Sequence, residues 1–137
     1  MKKVRKTFYT VVCERGVVGI VEQDGFEVEI DGEKFNAYRD RHRDSAYIID
    51  PQTGLALQTY EYDCEYDLPT EIEMIERAGE KLIENKERLK KWREQKGKES
   101  YKLTVQMFKA YKKAEGLREK QKEAVRRELS GTKAAGE

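Results

Sequence analysis

The hydrophobic pattern changes period once, at Pro69-Thr70, and this change constrains the fold more than any other feature of the chain. Upstream, apolar residues come in short alternating or β-branched blocks; downstream they recur every three or four residues. Phe26-Glu27-Val28-Glu29-Ile30 alternates strictly, and Asp24-Gly25 and Asp31-Gly32 on either side supply the positive φ angles that tight hairpins need. Phe8 to Cys13, Val17 to Val21, Glu33 to Arg39, Ala46 to Ile49 and Leu55 to Tyr60 read as further strands. The last two are joined by Asp50-Pro51-Gln52-Thr53-Gly54, where proline presets φ and glycine closes the turn. Five or six antiparallel strands follow. The first two carry apolar residues on both faces, so both faces should be covered. An open sheet and an SH3-like barrel both satisfy that.

Beyond Pro69, Thr70-Glu71-Ile72-Glu73 fits a capping box. Ile72, Ile75, Ala78, Leu82, Leu89 and Trp92 then recur at helical spacing until Gly97. A second helix is predicted from about Ser100 to Leu129, with a stripe at Leu103, Met107, Ala110, Ala114, Leu117 and Ala124. Tyr101, Leu103, Val105 and Met107 also alternate like a strand, but the unbroken helix formers after them favour helix. The expected architecture is therefore α+β: an antiparallel β-meander over 1–67, two long helices over 68–129, and a flexible tail over 130–137. A helix of thirty residues is about 45 Å long. So narrow a stripe needs packing to hold its shape, and the helices are expected to pack on each other and on another copy in a dimer or higher homo-oligomer.

Charge is divided along the chain. Residues 1–80 hold 10 Lys/Arg against 18 Asp/Glu, and residues 81–137 hold 18 against 9. Such asymmetry points to nucleic acid or membrane for the basic half, or to mutual satisfaction of the halves in one chain or a symmetric pair. No segment reaches the run of about 18 apolar residues that crosses a bilayer, and no membrane partner is expected. The basic start, Met1 to Lys6, leads into too short an apolar stretch for a signal peptide, so a cytoplasmic location is expected.

Catalytic signatures are absent from the sequence: no GxSxG, GxxxxGK, GxGxxG or HExxH occurs. Cys13, Cys64 and His42 are too few and too scattered for a structural zinc site, and no metal, cofactor or catalytic residue is expected. Cys13 reads as a small core residue. Cys64 lies among Asp63, Glu65 and Asp67, whose charges would raise a thiol pKa. The alternating Tyr60 to Asp67 strip could form a cation site or an acidic docking strip, but it lacks the EF-hand ligand order and reads as a charged edge strand leading into the helix.

Two groups stand out as candidate ligand contacts. Arg39, Arg41 and Arg43 alternate with Asp40, His42 and Asp44 beside Tyr47, and arginine forks grip phosphate or carboxylate while tyrosine offers a stacking face, although a solvated, self-neutralised loop is the commoner reading. On the second helix, Phe108, Tyr111 and Lys112 share a face, with Arg118 about two turns on. Aromatic plus cation can hold a stacked base, although packing is the commoner origin of such a stripe.

The meander with its Tyr47 to Leu57 hairpin, Tyr-Ile-Ile-Asp-Pro-Gln-Thr-Gly-Leu-Ala-Leu, followed by charged helices, resembles small accessory proteins of bacteriophages. It is similar in size and plan to the first type of Thoeris anti-defence proteins. That resemblance implies an oligomer assembled from dimers that sequesters a cyclic nucleotide signal, and it maps no ligand residue onto this chain. The sequence is thus read as a non-enzymatic, oligomeric, phage-encoded binding protein that blocks or sequesters a host component, either a protein or a small phosphorylated molecule. The alternative is a nucleic-acid binder using the basic helices, in which affinity falls steeply with salt.

Overall fold

The computed structural model describes residues 1–62 and 69–136, with side chains to residue 131. Five strands precede three helices: β1 (Lys3–Glu14), β2 (Val17–Ile30), β3 (Glu33–Asp40), β4 (Ser45–Ile49), β5 (Ala56–Glu61), α1 (Glu71–Glu84), α2 (Lys86–Gln95) and α3 (Glu99–Gly136). The strands form one antiparallel sheet in sequence order, β1-β2-β3-β4-β5, so the α+β meander is as the periodicity indicates. Its tightest turns sit at Arg15-Gly16 and Asp31-Gly32, both residues of each pair having positive φ.

Asp24-Gly25 is not a turn. The two strands expected at Val17–Val21 and Phe26–Ile30 are one, and Asp24 and Gly25 pair with Thr7 and Lys6 within the β1–β2 ladder. The glycine serves close approach instead. A Cβ there would collide with the Ala37 carbonyl oxygen and the Phe8 ring. β3 pairs only with the Phe26–Ile30 end of β2, which leaves the far end of the β1–β2 hairpin as a two-stranded arm. That arm folds over the sheet. Phe8 packs with Tyr38 and Ile49, and the Thr10 hydroxyl and Val11 amide both donate to the Gly54 carbonyl, at 3.0 and 2.9 Å. The closure is a point contact between β1 and the β4–β5 turn and adds no ladder, so the sheet stays open.

The opposite face carries the main core. Phe26, Val28, Phe35, Ala37, Ala46 and Ile48 lie under Met74, Ile75, Ala78 and Leu82 of α1. Burying each large side chain contributes about 1.5–3 kcal/mol. The capping reading of Thr70 holds, its hydroxyl accepting from the Glu73 amide at 3.2 Å. Of the expected apolar series, Ile72 is exposed and Met74 is buried in its place.

The first of the two expected long helices is broken at Asn85. This residue closes α1 through its amide to the Lys81 carbonyl and opens α2 by accepting from the Arg88 amide at 3.2 Å. Its ψ of 71° is not helical. The bend lays Trp92 against Phe35, ring centroids 5.0 Å apart, and carries Arg93 onto Asp31 and Glu33 at 2.7 and 3.3 Å. α3 is a single helix from Glu99, so the strand-like alternation of Tyr101 to Met107 is overridden. Its backbone stays helical through Gly136, past Leu129 where the sequence ends it.

Candidate functional site

The arginine loop does not form one wall. Arg39 lies in β3, where its guanidinium donates to the Pro69 carbonyl at 3.4 Å and stands 3.8 Å from Asp44. Arg43 and Tyr47 line a small cleft on the face of the folded-over arm, together with Val11, Cys13 and Ile49. Arg41 and His42 are exposed at the turn. The division follows from strand alternation. Tyr38 and Tyr47 are cross-strand partners with stacked rings 5.2 Å apart, and Arg39, one residue on, leaves the opposite face. Burial pushes the Tyr38 phenol up to about 12, the Tyr47 phenol and Asp40 adding to it and Arg43 opposing.

A groove of about 660 Å³ runs beside this loop toward the arm and the start of α1. Arg5, Arg39 and Arg41 line it, but so do Glu14, Glu22, Asp24, Asp40 and Glu71. Carboxylates outnumber guanidiniums, so the field does not favour an anion. No residue of α3 lines this groove or the Arg43–Tyr47 cleft, and the two sets of candidate contacts stay apart.

The α3 candidates divide as well. Phe108 is 3% exposed and covers Gly54, whose missing Cβ leaves room for the ring. Lys112 sits on the same side, its ammonium 4.7 Å from the Phe108 ring centroid. Tyr111 is exposed, and Arg118 is exposed and 3.6 Å from Glu115 one turn back. Phe108 is therefore a packing residue, not a stacking platform, which corrects the shared-face expectation. On a helix, positions i and i+3 are some 60° apart by the 3.6-residue turn, and that angle separates the inward Phe108 from the outward Tyr111.

A cluster around Asp50 escaped the sequence analysis. The Asp50 carboxylate is buried and accepts from the Trp92 indole at 3.0 Å, the Tyr101 hydroxyl at 2.6 Å and the Gln52 backbone amide at 2.9 Å. One side chain thus joins the β4–β5 turn to α2 and α3. Burial and the Asp50 bond raise the Tyr101 pKa. With three donors from three elements converging on it, Asp50 serves as a clamp between them. The only hint in the sequence was its place at a proline turn, which does not name the distant donors.

Cys13 is exposed near the tip of the arm, not in the core as its strand pattern implies, because the arm projects past β3. Cys64 and the Asp63–Asp67 part of the acidic strip lie outside the described residues. Among the described residues, no three His, Cys, Asp or Glu side chains stand close enough to share a metal ion, and no helix is long and apolar enough to cross a membrane.

The largest feature without a covering is α3 itself. Thirty-eight residues make it about 57 Å long. Tyr101, Thr104, Val105 and Phe108 turn toward the body, while every described residue from Leu117 to Gly131 is exposed. The outward side carries Leu103, Met107 and Leu117 at 52, 56 and 58% exposure. Beside them lie Lys113, Lys120 and Arg127. The ion pairs found on α3, at Glu115, Glu119 and Glu123, stay within the helix. Comparison with protein-family profiles, with curated proteins and with solved structures returns no match.

Proposed function

We propose that this chain is a non-enzymatic binding protein that works stoichiometrically, sequestering or blocking a component of a host cell in the manner its resemblance to phage accessory proteins implies. The observation that carries this reading is α3: a 38-residue helix whose described residues from Leu117 to Gly131 are all exposed, with apolar side chains left outward along it. A surface of that extent suits a macromolecule. Between the two ligand classes the sequence leaves open, a protein is favoured over a small phosphorylated molecule, because the groove beside Arg39 and Arg41 is lined by more carboxylates than guanidiniums. An anti-defence role is the form of this activity that the resemblance suggests.

Self-association belongs to the same reading. The surface it would use is the end of the β1–β2 arm, where Val17, Val18 and Val21 are exposed. Light scattering at micromolar concentration decides it.

Native mass spectrometry of protein purified at low salt from its own cells tests the main claim. A carried component in whole-number ratio, unchanged on prolonged incubation, is the expected result. Conversion of that component into product, with release, would overturn it. The nucleic-acid reading predicts instead a gel shift at low salt that is lost at moderate salt.

A further inference from the structure

We propose that the outward seam of α3 docks an acidic amphipathic helix of a partner protein. This rests on the binding-protein reading and names the chemistry of what is bound. Leu103, Met107, Ala110, Ala114 and Leu117 follow one another in steps of four and three, and Ala124 continues the series after Gln121. That is the repeat by which one helix lies along another. The seam is exposed throughout. Three of its positions are alanine, which permits a close helix approach.

The flanks choose the partner. Lys113, Lys120 and Arg127 stand at seven-residue intervals along one border of the seam, and Arg118 stands on the other. A second α3 is a poor occupant. Laid antiparallel, it sets the Lys113–Arg127 row against its own copy; laid parallel, it sets Lys113 against the Arg118 side. Like charges so placed are destabilising. A bilayer gains little from a seam so rich in alanine, since insertion scales with buried apolar area. A nucleic-acid backbone would meet the cations but leave the leucines and Met107 uncovered, and Glu115, Glu119, Glu123 and Glu128 oppose it. An apolar stripe bordered by carboxylates satisfies both the seam and its flanks.

The test uses the whole chain and two synthetic helices of about three heptads. Both carry leucine at the seam; one has glutamate on its flanks and its twin has lysine. Fluorescence anisotropy should give the glutamate helix at least about tenfold tighter binding, weakening with salt. Leu117→Asp should weaken it by about tenfold or more. In K113E/K120E/R127E the preference should invert toward the lysine helix, with circular dichroism confirming an unaltered fold.

Equal affinity for the two helices overturns the proposal. So does a triple variant that keeps the wild-type preference. Duplex DNA or phosphatidylserine vesicles bound through the same three cations, with no binding of the glutamate helix, would assign the face to those partners. Wild-type dimerisation abolished by Leu117→Asp would assign it to a second copy. A failed peptide titration beside an intact stoichiometric complex in native mass spectrometry removes the docked helix alone and leaves the binding-protein reading standing.

Discussion

Gly54 is where the β4–β5 turn and the start of α3 depend on one another. Its φ of 71° lies in the left-handed region, and its absent side chain is replaced by the Phe108 ring. Gly54→Ala should therefore cost about 2–4 kcal/mol, the backbone contributing about 1–2 and the displaced ring the remainder. In a Phe108→Ala background the same change should cost only the backbone part. Urea denaturation of the four proteins measures this, and additive costs would mean that the ring is not what the glycine accommodates. The turn glycine was legible in the sequence, but its tenant was not, because no local pattern links residue 54 to residue 108. Tyr38 gives a second test at this scale. Its folded pKa, near 12, lies above the ordinary value of 10.0, so its contribution is present below pH 10 and is lost as pH rises through 12. Thermal midpoints should fall across that window, and Tyr38→Phe should flatten the fall. An unchanged slope would show that the phenol is not buried in solution.

Among the elements, β5 shows how the protein guards an open sheet edge. The Tyr62 amide donates to the Asp44 carbonyl at 3.0 Å, so by alternation the Leu57 and Thr59 carbonyls point away from β4. Both are capped: Arg88 donates to Leu57 O at 3.1 Å, and the Gln58 amide reaches Thr59 O at 2.9 Å. Arg88→Ala should change folding stability by less than about 1 kcal/mol, as exposed polar contacts do. It should also make the protein associate in a concentration-dependent way, because a bare edge invites pairing. Sedimentation velocity over a dilution series reads this, and an unchanged monomer fraction would assign Arg88 no guarding role. Strand and helix types were legible from period alone. Their joints were not. Asp24-Gly25 resembles a turn but serves a close approach beneath Phe8, and Asn85 interrupts a charged stretch, Glu80 to Lys96, in which no glycine or proline marks the break.

For the molecule as a whole, the divided charge resolves into two different situations. The basic α2 is matched within the chain, Arg93 meeting Asp31 and Glu33. Among the described residues, the ion pairs found on the basic α3 are with its own glutamates, at 3.3–3.6 Å, and the helix is exposed throughout from Leu117 onward. The presence and start of α3 were legible in the sequence, but its run past Leu129 and its direction were not, since the anchoring contacts at Asp50 and Gly54 are non-local. An isolated helical extension is marginal in water, so the exposed stretch from Leu117 to Gly131 should open independently of the core. Hydrogen exchange should then find its amides protected by no more than about 1–2 kcal/mol, against the full unfolding free energy for β3 and β4. Truncation after Gly116 should leave the unfolding free energy of the body within about 0.5 kcal/mol of the full chain's, because no described side chain beyond that point is buried. A saturating glutamate-flanked helix should slow exchange along Leu103 to Leu117 and on into the extension, by an amount that rises with its free concentration. If the extension instead exchanges as slowly as the sheet in the free protein at every dilution, the body already covers it, and the outward face of α3 is not available to a partner.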